Sequence, residues 1–306
     1  MQVAFVDADE LARRLPMDAA IDALETAFRD DDPSATPLRS HVDTPRGTLL
    51  LMPAIGEPVV GVKLVTLTQA NPERGLPLIH AIYVLFDADS QAPCLLVDGS
   101  ALTALRTAAV SGLATRYLAR TDASRLVIFG AGVQARAHLE AMMSVRPVSE
   151  LVVVSRTPAR AEQLAEIAAA MGIVSAPGEP NAVATADIVC TCTTATEPLF
   201  DGASLAEGAH VNAVGAFQPH ARELDSETVQ RARVVVETRA AALEEAGDLL
   251  IPIGEGLVAN EHLVADLQEV VRGAEVRRDA DDITLFESVG LAFEDLAVAG
   301  ALAATM

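Results

Sequence analysis

An α/β fold is predicted for this chain: a doubly wound parallel sheet joined to a second, α+β domain. Three features predict it. Residues Arg125-Leu126-Val127-Ile128-Phe129-Gly130-Ala131-Gly132-Val133-Gln134-Ala135-Arg136-Ala137 read as a buried strand, a glycine turn and the start of a helix. Downstream of Leu126, strands and helices alternate, as a parallel sheet with crossover helices requires. Upstream, four strand-like runs follow one another with short connections, which suits an antiparallel or mixed sheet.

In chain order, Pro16 to Phe28 has the spacing of an amphipathic helix, with Ile21, Leu24 and Phe28 on one side and acids between them. Asp30-Asp31-Asp32-Pro33 breaks it. Strands are expected over Thr48–Ala54, Val59–Thr68, Leu78–Asp87 and Pro93–Asp98, separated by Gly56-Glu57-Pro58 and by Asn71-Pro72-Glu73-Arg74-Gly75. A helix is expected from Thr103 to Arg120, capped by Thr103 or Ser100. After the glycine turn come strands at Leu151–Ser155, Asp187–Thr193, His210–Gly215 and Arg233–Glu237, with a helix over Pro158–Met171. Beyond Gly247 the signal is poorer. Ile283 to Ala303 reads as helix, with Phe286, Val289 (or Gly290), Phe293 and Leu296 on one side.

Gly130-x-Gly132-x-x-Ala135 is the pattern of a Rossmann dinucleotide site. The first glycine permits the tight turn, the second lets backbone approach a pyrophosphate, and alanine lets helix pack on strand. The following helix, opening at Val133 and Gln134, offers free N–H groups to the phosphates. The end of the next strand selects the cofactor. NAD sites place Asp or Glu there for the ribose 2′-OH. Here stand Ser155, Arg156 and Thr157, a cation and two hydroxyls suited to a 2′-phosphate. NADP(H) is therefore expected, with NAD(H) possible. The plainer reading of Arg156 is a solvated turn residue.

The 306 residues suffice for two domains, and the net charge of −21 argues against nucleic acid and anionic membrane as partners. The sequence has no run of 18 apolar residues and no basic-then-apolar leader, so a cytoplasmic location is expected. Cys94, Cys190 and Cys192 lack histidine neighbours at zinc spacing, and no metal site is expected.

Lys63 is the chain's one lysine. It lies in Val59-Val60-Gly61-Val62-Lys63-Leu64-Val65, apolar on both faces, where a cation is costly unless paired. It either snorkels to water or presents an ammonium to an anionic or imine substrate. Arg106, in the first turn of its expected helix, opposes the helix dipole and needs an anion. A bound carboxylate would serve, or the nearby Asp98. Arg39 is, on residue type alone, a surface arginine.

Gly61-Val62-Lys63-Leu64-Val65, Arg106-Thr107-Ala108-Ala109-Val110-Ser111, the glycine turn, Asn212-Ala213-Val214-Gly215 and Ile283-Thr284-Leu285-Phe286-Glu287-Ser288-Val289-Gly290 together resemble the ornithine cyclodeaminase/mu-crystallin family, in order and over nearly the whole chain. The resemblance implies a Rossmann domain over 119–284, and a substrate-binding and dimerisation domain over 1–118 with 285–306. It implies that Arg39, Lys63 and Arg106 bind the substrate carboxylate or imine, with Lys63 and Arg106 closest to the chemistry. It further implies that Thr193, Val214 and Ser288 lie around the cofactor, and that the protein is a homodimer.

Members of that family include cyclodeaminases, an alanine dehydrogenase and ketimine reductases. In the cyclodeaminases an aspartate stands two residues after the Asn-Ala-Val-Gly glycine. Here that residue is Phe217, which carries no proton but can wall a ring-shaped substrate. The Ser155-Arg156-Thr157 and Pro219-x-x-Arg222-Glu223-Leu224 stretches also look closer to the mu-crystallin branch. The expected function is NAD(P)H-dependent reduction of a cyclic 2-imino acid, Δ1-pyrroline-2-carboxylate or Δ1-piperideine-2-carboxylate, to the amino acid. The rival readings are an ornithine or lysine cyclodeaminase, an alanine dehydrogenase, and a cofactor-bound, crystallin-like ligand-binding protein without turnover.

Overall fold

The computed structural model describes residues 3–306. In chain order the strands are β1 (Ala4–Val6), β2 (Ser40–Thr44), β3 (Gly47–Ile55), β4 (Val59–Leu67), β5 (Ile79–Asp87), β6 (Pro93–Asp98), β7 (Arg125–Phe129), β8 (Glu150–Val154), β9 (Val174–Pro177), β10 (Ile188–Thr191), β11 (His210–Ala213), β12 (Ala232–Val236), β13 (Leu263–Asp266) and β14 (Ile283–Glu287). The helices are α1 (Ala8–Arg14), α2 (Met17–Asp30), α3 (Gly99–Leu118), α4 (Val133–Val145), α5 (Pro158–Ala170), α6 (Ser226–Arg231), α7 (Arg239–Glu245), α8 (Gly247–Gly254), α9 (Leu267–Val271) and α10 (Ala292–Ala303). The chain divides into two compact units, Met1–Arg106 with Leu291–Met306, and Thr107–Gly290, so one divide runs inside α3.

The first unit is a six-stranded mixed sheet in the order β1-β6-β5-β4-β3-β2. Strand β1 is parallel to β6 and the other pairs are antiparallel, as the short connections predict. Alternate residues Leu50, Met52 and Ala54 of β3, Val65 and Leu67 of β4, and Tyr83 and Leu85 of β5 are buried. Helices α2 and α10 add Ile21, Leu24, Phe28 and Phe293 to this core, with the Phe28 and Phe293 rings edge to face at 5.1 Å. The opposite face carries Leu51, Val62, Leu64, Val84, Phe86 and Leu96, all apolar and half-buried, with Ile82 exposed beside them.

The second unit holds an eight-stranded parallel sheet, β13-β12-β14-β11-β10-β7-β8-β9. The chain runs outward from β7 through β8 and β9, then returns to β10 on the other side. That reversal makes a topological switch point at the carboxyl ends of β7 and β10. Strands β10 and β11 are buried at every residue, as expected of strands covered on both faces.

Two expectations are corrected. Residues Ile283–Glu287 are a central strand, not helix: β14 pairs with β11 and β12, and helix begins only at Ala292. A continuous apolar run satisfies both periodicities, and burial inside a parallel sheet decided it. Helix α3 begins at Gly99, because Asp98 Oδ1 accepts the N–H groups of Ser100 (2.9 Å) and Ala101 (3.0 Å). Arg106 therefore lies beyond the first turn, and Asp98 serves as the helix cap rather than as its partner.

Candidate functional site

Lys63 is 1% exposed, and does not snorkel. It stands mid-strand in β4, opposite Met52 on β3 and Tyr83 on β5. Its Nζ donates to Asp295 Oδ1 at 2.8 Å and lies 2.7 Å from Oδ2. Burial pushes the ammonium down to about 8, with Asp295 pulling it up, and Arg106 and Arg39 pushing it further down. Arg106, 5% exposed, donates from Nη1 to Glu294 Oε2 at 2.9 Å, and its Nε lies 3.3 Å from Asp295 Oδ1. Glu294 Oε2 also accepts the Leu291 N–H at 3.4 Å. Both carboxylates are fully buried.

Glu294 and Asp295 were not expected from the sequence. They are adjacent acids in the first turn of an otherwise apolar helix, Ala-Phe-Glu-Asp-Leu-Ala-Val-Ala-Gly-Ala-Leu-Ala. Acids favour that turn, so they read as dipole compensation rather than as partners for cations far away in sequence. The Tyr83 hydroxyl is buried nearby, without a hydrogen-bond partner among the described residues. Gly61 makes room for it, since a Cβ there would lie 2.1 Å from that oxygen. Burial, and then Asp295, hold the phenol well above its usual range. Arg39 is half-buried ahead of β2 and close enough to act on the Lys63 charge.

In the second unit, Gly130 ends β7 with φ +104°, and a Cβ there would meet the Cys192 carbonyl oxygen at 2.5 Å. Gly132 is the N-cap of the 13-residue α4 and has no side-chain cap. A Cβ at Gly132 would meet nothing within 4 Å, and Val133 is 73% exposed. An uncapped helix end opening on free space at the switch point fits a pyrophosphate. Gln134 opens the same helix, and its carbonyl lies 2.8 Å from His138 Nδ1. Burial holds that imidazole down to about 4, hence neutral.

After β8, Ser155 Oγ accepts the Thr157 N–H at 3.2 Å, and the Arg156 and Thr157 side chains are exposed. Thr193 follows β10; Val214 and Phe217 follow β11 and are half-buried. The Ser288 hydroxyl donates to Glu237 Oε1 at 2.5 Å, and Glu237 Oε2 accepts Val289 N–H (3.2 Å) and Gly290 N–H (2.8 Å). Among the described residues no group of three His, Cys, Asp or Glu is placed to hold a metal ion, and no helix is long and apolar enough to cross a membrane.

The glycine turn at a switch point in one unit, and the buried paired cations of the other, define a two-unit dinucleotide-binding protein. The chain belongs to the ornithine cyclodeaminase/mu-crystallin family, whose model matches residues 1–304. It is similar to the Δ1-pyrroline-2-carboxylate reductase of Bacillus cereus, 38% identical over 96% of this chain and 94% of that protein. It is also similar to the ketimine reductase mu-crystallin of Rattus norvegicus, 36% identical over 97% of this chain and 95% of that protein. Among solved structures, the Δ1-pyrroline-2-carboxylate reductase of Thermococcus litoralis in complex with NADH and L-proline superposes with a TM-score of 0.93. It is 37% identical, over 98% of this chain and 96% of that one.

Proposed function

We propose that this chain is an NAD(P)H-dependent imine reductase, converting Δ1-pyrroline-2-carboxylate or Δ1-piperideine-2-carboxylate to the cyclic amino acid. The observation that carries this reading is the buried cation cluster of the first unit: Lys63 and Arg106 are held against Glu294 and Asp295, with Arg39 close enough to act on the Lys63 charge. Arg106 has five N–H donors, enough to hold Glu294 and a substrate carboxylate together. Arg39 assists it. Lys63 delivers a proton to the imine nitrogen, and its lowered pKa eases that release. The nicotinamide supplies the hydride. The likeness to reductases of Δ1-pyrroline-2-carboxylate and of ketimines supports the same reading.

Within this reading the unit Thr107–Gly290 carries the cofactor. Its site comprises Gly130, Gly132, Val133 and Gln134 at the pyrophosphate, and Thr193, Val214 and Ser288 toward the nicotinamide. NADPH is preferred, because Arg156 is exposed beside two hydroxyl residues where a carboxylate would disfavour the 2′-phosphate. Phe217 walls the ring of the substrate. The apolar outer face of the six-stranded sheet, with Val62, Leu64, Val84 and Phe86, is where a second copy packs to form a homodimer. A contiguous apolar face of this kind is rarely left to water, and a two-fold axis lets one patch cover itself. A cytoplasmic location fits the acidic composition and the described residues, among which no helix is long and apolar enough to cross a membrane.

The test is cofactor oxidation with a panel of cyclic and acyclic 2-imino acids, with products identified. Turnover of the five- or six-membered imine to proline or pipecolate is expected. Ammonia release from ornithine or lysine without imine reduction points to a cyclodeaminase. Tight ligand binding with no turnover points to a carrier.

A further inference from the structure

Glu223 is fully buried in the parallel-sheet unit, away from the cations described above in sequence and in role. Its Oε1 accepts the Thr193 N–H at 2.8 Å and the Thr193 hydroxyl at 2.5 Å. Its Oε2 accepts the Gly215 N–H at 2.8 Å. Thr193 belongs to the loop leaving β10 and Gly215 to the loop leaving β11, so one carboxylate ties together two neighbouring strand ends on the far side of the switch point from β8. The segment that carries Glu223 is itself fixed. Asp248 Oδ1 accepts the N–H groups of Glu223 (2.8 Å) and Leu224 (2.7 Å), and the Glu223 carbonyl accepts the Leu199 N–H at 2.8 Å. Gly215 has no room for a side chain: a Cβ there would lie 2.4 Å from the Glu223 carboxyl and 2.5 Å from the Thr193 carbonyl oxygen.

A buried carboxylate that receives three donors from two loops is a costly device, because burial disfavours its charge and raises its pKa despite those bonds. Surface turns hold their shape without one. The loops it joins are those that border a dinucleotide at such a switch point, beyond the reach of the glycine turn that holds the pyrophosphate.

We infer that Glu223 is a positioning residue for the nicotinamide half of the cofactor, setting the Thr193 and Gly215 loops in the arrangement that half of the molecule requires. The inference rests on the reading that this unit binds a nicotinamide dinucleotide. Full-length Glu223→Gln keeps the shape of the side chain but replaces one acceptor oxygen with a donor, which faces an N–H group in either orientation. Two ligands separate its effect: NADH, followed by its own fluorescence because the chain has no tryptophan, and ADP-ribose, which lacks the nicotinamide, followed by calorimetry. NADH should bind tenfold or more weakly, while ADP-ribose affinity stays within about twofold of the wild type, given that one charge-assisted contact is worth about one decade. Gly215→Ala displaces the same carboxylate without changing charge, and should give the same split. It decides the matter if Glu223→Gln fails to fold. Unchanged NADH affinity in the folded variants overturns the inference, as does a parallel loss of both ligands. Wild-type protein that binds neither NADH nor NADPH overturns the reading beneath it instead.

Discussion

Lys63 Nζ sits 2.8 Å and 2.7 Å from the two carboxylate oxygens of Asp295, a buried ion pair between β4 and α10 across 232 positions of sequence. Three groups bear on that ammonium: Asp295 from α10, Arg106 from α3 and Arg39 ahead of β2; Tyr83 stands opposite it on β5. Its pKa is pushed down from 10.5 to about 8, first by burial. If Lys63 works as the ammonium, kcat/KM for imine reduction falls as pH rises through about 8. Asp295 favours the charged form, so Asp295→Asn should move that fall to lower pH. A pH–rate profile of both proteins checks the direction. An unmoved or alkaline-shifted limb in the variant goes against it.

The pair Arg106–Glu294 bears on stability. Removing one partner of a buried pair leaves an uncompensated charge, which costs on the order of 3–5 kcal/mol. Glu294→Ala should cost toward the lower end, because Asp295 remains 3.3 Å from the Arg106 Nε. Urea unfolding of variant and wild type measures it. A loss below about 1 kcal/mol would place the pair among weak surface-like contacts.

The proposed preference for NADPH rests on Arg156, which is exposed at the end of β8. Arg156→Ala should weaken NADPH by about 1.5–3 kcal/mol, the worth of a hydrogen bond to a charged group, and leave NADH nearly unchanged. Steady-state kinetics with both cofactors test this. Equal or better kcat/KM with NADH in the wild type removes the proposed preference.

Beneath the Glu223 segment, burial and then Glu223 push the Asp248 carboxyl up from 3.8 to about 8. Glu287, buried beside it with neither oxygen hydrogen-bonded to a described residue, is held well above the carboxylate range as well. A raised carboxyl pKa means that the folded state keeps a proton the unfolded chain has lost. Its contribution is full below about pH 4 and drains away as pH rises to about 8. Asp248→Asn retains the acceptor Oδ1 and removes the titration. Its Tm should fall less than the wild type's as pH rises from about 4 to about 8. Parallel Tm–pH curves for the two proteins would refute this.

The sequence announces Lys63 and Arg106 because a charge in an apolar setting has few innocent explanations. It does not announce their partners. Glu294 and Asp295 look like ordinary first-turn acids, and their contacts to β4 and α3 exist only after the chain end folds back onto the first sheet. The glycine turn is legible because its backbone demands are local: a positive φ at Gly130 and an uncapped helix end at Gly132. The strand at Ile283–Glu287 is not, because an apolar run of that length takes its conformation from the neighbours β11 and β12. Glu223 is silent for a related reason: a glutamate in a polar loop gives no sign that its carboxylate is buried against Thr193 and Gly215.

The most direct measurement is kcat/KM of Lys63→Met on the best cyclic imine, with NADH and NADPH affinities measured beside it. Deleting the charge removes the nearer of the two cations beside Asp295, so the variant should be less stable, and the assay belongs at a temperature where it remains folded. There, reduction should fall about 10²-fold or more, the scale of one lost charge-stabilising or proton-donating group. Cofactor affinity should change little, because the proposed phosphate site is the glycine turn from Gly130 to Ala135. A folded Lys63→Met protein that reduces the imine at near the wild-type rate would contradict the account.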